Sequence, residues 1–267
     1  MDAKEQDELA VEFGKIACEA GAAIMAIPAG ALGAERKPDG TPVSRADIEA
    51  ERLIRARLYA ILADVVLIAE ESFEPGHPNP APNRFLLVDP LDGTREFLSG
   101  HTDFTVNIAL IDAGRPVAGA IFAPALGHLY LGGASAHRAA LEAGGAFPGA
   151  DRLTAIEASA VPDTGLRAVA SRSHLDAATG QFLRERGIKS VRRAGSSLKF
   201  CFVACGEADV YPRLAPTMEW DAAAGHAILR AAGGCVVGPN GSPLRYGKSD
   251  AGFRNAGFIA WGRRPSA

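Results

Sequence analysis

One predicted strand and the polar turn after it constrain the folding and chemistry of this chain more than any other segment. The apolar run Phe85-Leu86-Leu87-Val88 predicts a buried strand, which leads directly into Asp89-Pro90-Leu91-Asp92-Gly93-Thr94. This turn carries two carboxylates, a hydroxyl and a glycine that lets backbone amides face an anion. Carboxylate and carbonyl oxygens are the ligands that hard cations such as Mg²⁺ prefer. The segment therefore predicts a metal site beside a phosphate site.

The length and charge of the chain limit what it can be. Its 267 residues, 48% of them hydrophobic, suffice for one large domain or two ordinary ones. The net charge of −3 argues against a broad basic surface for a nucleic acid polymer. The acidic start Met1–Glu5 is unlike a signal peptide, and no apolar stretch approaches the roughly 20 residues of a membrane helix. We therefore expect a cytoplasmic protein, with attachment to the inner membrane face and the choice between monomer and homodimer left open.

The four cysteines predict neither a zinc site nor a disulfide framework. Cys201 and Cys205 are four positions apart in an apolar helical run without neighbouring histidines, and Cys18 and Cys235 are distant in sequence. We expect reduced thiols that pack as small hydrophobic groups.

The first half of the chain has the pattern of an α+β unit. Apolar periodicity predicts helices over about 5–27 and 45–62, and Ser44 is the expected N-cap of the second. The buried stripe of the second helix is expected to contain Ile48, Leu53, Ile54, Leu58 and Ile61. A proline-rich loop over 74–84 separates the first two of the strands predicted at 65–69, 85–89, 104–111, 117–122 and 129–131. A hairpin over 104–122 indicates an antiparallel sheet.

The second half alternates strands and helices, which is typical of an α/β unit. The pattern weakens over 145–165, so we expect domains at 1–150 and 151–267. Strands are predicted at 167–171, 189–192, 208–211 and 235–237, and helices at 175–186, 197–205 and 220–232.

Acidic residues mark the ends of several predicted elements, and each has a purely structural explanation as well. Asp47 and Asp221 fall in first turns of predicted helices, where the helix dipole favours a negative charge. The pair Glu70-Glu71 follows a predicted strand, where it could simply be solvated. Four carboxylates gathered at one site would repel one another unless cations neutralised them.

Motifs in a fixed order identify the relationship. The motif that begins at Asp89 continues to Phe97. It is preceded in the sequence by Ala69-Glu70-Glu71-Ser72 and followed by the predicted helix Trp220–Ala227. With the segment Lys37–Asp47, these motifs resemble those of the inositol monophosphatase superfamily. The resemblance implies a layered α-β-α-β-α sandwich with an antiparallel N-terminal sheet and a smaller mixed C-terminal sheet.

Further segments are similar to the bacterial 3′(2′),5′-bisphosphate nucleotidase branch of that superfamily. They are Thr94–Phe97, Phe104–Leu110, Ser171–His174, Gly195–Cys201 and Tyr211–Arg213. The resemblance implies Mg²⁺-dependent, lithium-sensitive hydrolysis of 3′-phosphoadenosine 5′-phosphate to AMP and phosphate, with its sulfate analogue as a second substrate, in sulfur assimilation. An inositol 1-phosphate or other sugar monophosphatase is the alternative. A non-catalytic protein that binds metal or nucleotide on the same fold is a further one.

The resemblance also implies roles for individual residues. Two or three Mg²⁺ ions would be held by Glu70, Asp89, the Leu91 carbonyl, Asp92 and Asp221. The Thr94 hydroxyl, oriented by Asp47, would position or deprotonate the attacking water, and Glu71 is the competing candidate for the base. The substrate would be bound by Glu70, Leu91, Asp92, Gly93, Thr94, His174, Ser196, Lys199, Arg213 and Asp221.

Three basic residues could have a structural role and not a role in substrate binding. Lys199 lies in an apolar helix and could be a structural lysine with a solvated head group. His174 could be an ordinary histidine at a helix N-terminus, and His226 is expected to be structural.

Overall fold

The computed structural model describes residues 1–28, 33, 35–36, 42–74, 82–172 and 175–263. Within these residues, the helices are α1 Ala3–Ala26, α2 Arg45–Ile61, α3 Thr94–Leu98, α4 Ala177–Glu185, α5 Leu198–Ala204 and α6 Glu219–Ala231. The strands are β1 Glu35–Arg36, β2 Pro42–Val43, β3 Val66–Ala69, β4 Arg84–Asp92, β5 Thr105–Asp112, β6 Arg115–Ala123, β7 His128–Gly132, β8 Ala136–Ala140, β9 Thr154–Ala155, β10 Arg167–Ser171, β11 Ser190–Ala194, β12 Val210–Arg213, β13 Thr217–Met218, β14 Cys235–Val237, β15 Arg254–Asn255 and β16 Phe258–Trp261.

The larger sheet has seven strands in the order β3-β4-β5-β6-β7-β8-β9. Its pairings are antiparallel, as predicted, except that β3 and β4 run parallel in the register Ala69↔Val88. This parallel pair was not foreseen, and the residues that join the two strands are only partly described. Because Ala69 at the end of β3 pairs with Val88, Glu70 after β3 and Asp89 in β4 emerge side by side.

The smaller sheet is mixed, with the order β11-β10-β12-β16-β14. The predicted strands β10, β11, β12 and β14 are present, but β16 at Phe258–Trp261 was missed. It lies between β12 and β14 and is antiparallel to both. Four residues after a glycine carry too little periodicity to predict a central strand.

Alternation along β4 shows how the layers are stacked. Leu86 and Val88 face α1 and α2, whereas Phe85 and Leu87 face the layer of α5 and α6. The second sheet covers the other side of α5 and α6, and α4 packs on its outer face through Phe182 and Leu183. The arrangement is the predicted α-β-α-β-α sandwich.

The helix predictions at 5–27 and 45–62 are confirmed, but the buried stripe of α2 is narrower than expected. Ser44 caps α2 as predicted, and Ile54 and Leu58 are buried. Ile48 and Ile61 are 57% and 42% exposed. The helix α2 packs against α1 and against β4, near one edge of the large sheet, so part of its apolar stripe stays exposed.

The remaining predictions divide between the confirmed and the untested. All four cysteines are free, with Cys18 and Cys201 buried and Cys205 and Cys235 partly buried. None of the described helices is long and apolar enough to cross a membrane. The division into domains at 1–150 and 151–267 stays a prediction. We note that β9 at Thr154–Ala155 belongs to the large sheet.

Candidate active site

Three carboxylates converge at the edge of the large sheet where β3 and β4 end. Glu70, Asp89 and Asp221 each place an oxygen within 4.8 Å of the other two. Asp89 is buried, and the other two side chains are partly buried. Glu70 follows β3, Asp89 lies in β4, and Asp221 comes from the first turn of α6. Three elements distant in sequence therefore build one acidic cluster.

Local hydrogen bonds position the backbone of Glu70 and the carboxylates of Asp89 and Asp221. The Glu70 amide donates to the Val88 carbonyl at 3.1 Å, which holds β3 beside β4. The Leu91 amide donates to Asp89 Oδ1 at 3.1 Å. Asp221 accepts from the Met218 amide at 3.1 Å and from the Thr217 hydroxyl. Asp221 therefore caps α6 and belongs to the cluster at the same time.

The electrostatics of the cluster favour a bound cation. Burial raises the pKa of Asp89 well above its ordinary value, and the nearby Glu70, Asp92 and Asp221 carboxylates raise it further. Burial and Asp221 raise the pKa of Asp92 to about 7, against the lowering effect of Lys199 and Arg213. A divalent cation would remove this repulsion, and an all-oxygen donor set suits Mg²⁺. The residues present therefore fit the expected metal.

Asp92 does not belong to the three-carboxylate cluster, but it lines a cavity together with Glu70 and Asp221 of that cluster. The β4–β5 register shifts between Asp89 and Asp92, and such a bulge redirects side chains. The cavity has a volume of about 190 Å³. Eight of the predicted site residues line it: Glu70, Asp92, Gly93, Thr94, Ser196, Lys199, Arg213 and Asp221. His174 lies outside the described residues.

A buried carboxylate orients the hydroxyl of Thr94. Thr94 Oγ1 donates to Asp47 Oδ1 at 2.8 Å and lies 3.2 Å from the Leu91 carbonyl oxygen. The other oxygen of Asp47 accepts from the Ser44 amide at 2.8 Å and from the Ser44 hydroxyl at 2.6 Å. Asp47 thus both caps α2 and holds Thr94.

Gly93 is required by the backbone geometry at this point. Its φ of +99° lies in a region that L side chains rarely adopt, and a Cβ there would lie 3.3 Å from the Asp103 carbonyl oxygen. The turn can therefore approach the neighbouring segment closely while Thr94 opens α3.

Two basic side chains, Lys199 and Arg213, also line the cavity. Lys199 is only 3% exposed, and its ammonium group donates to the Ser196 carbonyl. Burial lowers the pKa of Lys199 to about 8, although Asp92 opposes the shift. Arg213 Nη2 lies 4.0 Å from Asp221 Oδ2. Lys199 therefore faces the cavity and is not a structural lysine with a solvated head group.

The backbone of Glu71, the competing candidate for the base, is held by a hydrogen bond to Glu51. Its amide donates to Glu51 Oε2 at 2.8 Å, and its side chain is partly buried. Its charge is one of several that raise the pKa of Asp89. The choice between Glu71 and the Thr94–Asp47 pair stays open.

Sequence reasoning missed the polar groups that support the loop at Gly195. Asp103 accepts from the Gly195 amide at 2.7 Å and from Arg172 Nη1 at 2.8 Å. Ser197 Oγ donates to Asn107 Oδ1 at 2.7 Å. The signal was available, because Asn107 lies in the middle of an otherwise apolar buried strand.

Comparison with known proteins places the chain in a family. Residues 5–260 match the Inositol monophosphatase family. The 3′(2′),5′-bisphosphate nucleotidase CysQ of Escherichia coli strain K12 is 40% identical over 246 residues, which cover 91% of this chain and 96% of that protein. The crystal structure of CysQ from Bacteroides thetaiotaomicron superposes with a TM-score of 0.78 at 34% identity, covering 97% of this chain and 98% of that one. The Thermotoga maritima IMPase superposes with a TM-score of 0.69 at 26% identity, covering 93% and 89%. Because the match spans nearly the whole chain, this protein belongs to the inositol monophosphatase family.

Proposed function

We propose that this protein is a Mg²⁺-dependent phosphatase that hydrolyses 3′-phosphoadenosine 5′-phosphate to AMP and phosphate, with the sulfate analogue as a second substrate. The observation that carries the proposal is one cavity lined by Glu70 and Asp221 of the acidic cluster and by the basic residues Lys199 and Arg213. The similarity to CysQ over nearly the full length of both chains supports this substrate. The cytoplasmic location predicted from the sequence is part of the proposal, and both a monomer and a homodimer are compatible with it.

The carboxylates would hold two or three Mg²⁺ ions with the help of one carbonyl. The proposed ligands are Glu70, Asp89, the Leu91 carbonyl, Asp92 and Asp221. Bound Mg²⁺ would supply positive charge for the phosphate oxygens and the leaving oxygen, and would lower the pKa of the attacking water.

The Thr94–Asp47 pair would position the attacking water and receive its proton. Thr94 Oγ1 donates its hydrogen to Asp47 Oδ1, so a lone pair of the hydroxyl oxygen stays available to accept a hydrogen bond from the water. The two Ser44 donors hold the other Asp47 oxygen, which keeps Oδ1 directed at Thr94. Glu71 would take this role if the hydroxyl proved dispensable.

The other residues that line the cavity would bind the nucleotide. The amides of Gly93 and Thr94 are proposed to hold the phosphate that is cleaved, and Lys199, Arg213, Ser196 and His174 to contact the rest of the substrate. Ser196 supports this role, because its φ is +45° and its buried hydroxyl has no partner within the described residues. A strained residue with an unpaired polar atom is typical of a binding site.

Phosphate release from a small substrate panel tests the proposal. We expect kcat/KM for 3′-phosphoadenosine 5′-phosphate to exceed that for inositol 1-phosphate by at least about 100-fold, the ratio that roughly two lost charged contacts would give. EDTA should abolish turnover and Li⁺ should inhibit it.

A matched pair of variants separates the site from general effects of charge. Asp92→Asn should lose most activity, whereas Asp163→Asn, at an exposed loop position, should not. Preference for the inositol ester would refute the substrate, and wild-type turnover by Asp92→Asn would remove this carboxylate from the mechanism.

A further inference from the structure

One face of the helix α2 carries two acidic side chains into the interior of the protein. Asp47 is fully buried and Glu51, one turn later, is only 6% exposed, whereas Ile48 between them is 57% exposed. Residues four positions apart lie on the same face of a helix, so the two acidic residues share one face of α2. Because a glutamate is almost never buried unless it is paired, the partners of Glu51 indicate why this face is turned inward.

Both carboxylate oxygens of Glu51 have a partner. Oε2 accepts from the Glu71 amide at 2.8 Å, and Oε1 accepts from Arg55 Nη2 at 3.2 Å. Arg55 Nη2 also donates to the Ser72 hydroxyl oxygen at 2.5 Å. The Glu51–Arg55 pair of α2 therefore holds the two consecutive residues Glu71 and Ser72.

The residues held in this way follow directly on a proposed metal ligand. The Glu70 amide donates to the Val88 carbonyl at 3.1 Å, and the next amide, that of Glu71, donates to Glu51. The peptide bond between Glu70 and Glu71 is planar, so the second hydrogen bond restricts rotation about the Cα–C bond of Glu70. Hydrogen bonds to two different elements, β4 and α2, therefore fix the backbone that carries the Glu70 carboxylate of the acidic cluster.

The position of β3 in the sheet explains why this second support matters. β3 is the first strand of the large sheet, and among the described residues only β4 pairs with it. An edge strand has one side without ladder hydrogen bonds. Glu70 lies one residue beyond Ala69, the last paired residue of β3. The Glu51 carboxylate therefore supplies a hydrogen-bond acceptor just beyond the end of the ladder.

We propose that Glu51 is a positioning residue of the candidate active site. Through the Glu71 amide it keeps the Glu70 carboxylate at the acidic cluster, and it thereby strengthens the binding of Mg²⁺. Arg55 supports Glu51 by compensating its buried charge. The inference rests on the proposed function in one respect, namely that the acidic cluster binds a metal ion.

The same face of α2 thereby serves both candidates for the activation of the water. Asp47 orients the Thr94 hydroxyl through a hydrogen bond of 2.8 Å, and Glu51 holds the backbone of Glu71 at the same distance. Glu51 is not among the residues that line the active-site cavity. It therefore acts through Glu71 and not on the substrate.

Titration of Mg²⁺ alone into the metal-free protein, followed by calorimetry, tests the assignment without any substrate. Glu51→Ala removes the acceptor of the Glu71 amide and should raise the Kd for Mg²⁺ about 10-fold, as is usual for groups that orient metal ligands. Glu51→Gln keeps an acceptor oxygen at the same reach, so its Kd should stay within about 3-fold of the wild type. Both variants lack the negative charge, so the difference between them isolates the hydrogen bond.

Hydrogen exchange of two adjacent amides gives a readout that a general loss of stability would not reproduce. In EDTA, the Glu71 amide of Glu51→Ala should exchange at least about 10-fold faster than that of the wild type. The Glu70 amide, which donates to the Val88 carbonyl, should keep its protection. Equally faster exchange at both amides would show that the end of β3 had loosened as a whole, and would contradict the specific role of Glu51.

Glu49→Ala is the matched control on the same helix. Glu49 forms an ion pair with Arg52 at 3.1 Å, its side chain is 41% exposed, and it does not line the active-site cavity. Its removal should leave both the Kd and the exchange of the Glu71 amide unchanged. Glu51→Leu, which fills much of the same space without an acceptor oxygen, should behave like Glu51→Ala and serves if that variant folds poorly.

The outcomes separate this inference from the proposed function. If Glu51→Ala binds Mg²⁺ within about 2-fold of the wild type, the positioning role is wrong and the proposed function stands. If Glu51→Ala and Glu51→Gln weaken binding equally, the charge acts and not the hydrogen bond, which also overturns the inference. If the wild-type protein binds Mg²⁺ but does not hydrolyse the bisphosphate, the proposed substrate is wrong and the role of Glu51 stands. If the wild-type protein binds no Mg²⁺, both proposals fall.

Discussion

The contact between Asp47 and Thr94 gives the sharpest prediction, because a single carboxylate serves both stability and catalysis. Asp47 is fully buried, and its two oxygens have different partners: Ser44 on one side and Thr94 on the other. Asp47→Asn keeps the shape of the side chain but replaces one acceptor oxygen with an amide donor. We expect the oxygen to stay with Ser44, so that the introduced amide faces Thr94.

The structure sets the size of both effects. An amide that donates to Thr94 Oγ1 cannot accept the proton of that hydroxyl, so the pair loses its proton acceptor and kcat should fall about 10²- to 10⁴-fold, as on loss of a general base. The charge-assisted hydrogen bonds from Ser44 become neutral ones, which should cost about 1–3 kcal/mol in the free energy of unfolding.

Ser44→Ala and Thr94→Val separate the two roles in an assay of kcat and of urea unfolding on the same samples. Ser44→Ala removes the capping hydroxyl but keeps the backbone amide that also donates to Asp47 Oδ2, so it should cost about 0.5–2 kcal/mol of stability and lower kcat far less than Asp47→Asn does. Thr94→Val should lose kcat as strongly as Asp47→Asn. The double variant of Asp47 and Thr94 should be no slower than either single one, because the two groups act as a unit.

Two results would refute this reasoning. If Thr94→Val kept kcat within about 3-fold of the wild type, the hydroxyl would not be the group that positions the water. If Glu71→Gln then lost activity by more than about 100-fold, the role of the base would pass to Glu71.

The remaining predictions concern metal, pH and packing. Mg²⁺ should raise the Tm of the wild type but hardly that of Asp89→Asn, which in EDTA should melt above the wild type because a buried, repelled charge is gone. Burial lowers the pKa of His226 to about 3, so the unfolded chain takes up an additional proton below its ordinary pKa of about 6.5, and stability is lost as pH falls below that value. From pH 7 to pH 5, urea unfolding of His226→Gln should therefore lose about 2 kcal/mol less than that of the wild type, and equal losses would contradict the shift. Gly195→Ala would place a Cβ 2.7 Å from the Asp103 carbonyl oxygen, so it should cost about 1–3 kcal/mol in thermal unfolding and raise KM. Gly180→Ala, in the helix α4, is its control and should be neutral or stabilising by about 0.5–1 kcal/mol.

Elements with strong local signals could be predicted from the sequence. Ser44 capped its helix as expected, and the apolar run Phe85–Val88 formed a strand, because these preferences depend on neighbours in the chain. The strand β16 could not be found in this way, since its position between β12 and β14 depends on partners far away in sequence. The exposure of Ile48 and Ile61 likewise depended on which face of α2 the large sheet covers.

The sequence by itself determined the chemistry of the site. Its motifs predicted the types of the acidic, hydroxyl and basic groups that lie together there, because ligand type is a property of single side chains. Only the tertiary structure decided which of them meet. The parallel pairing of β3 and β4 brought Glu70 beside Asp89, and α6 placed Asp221 against both.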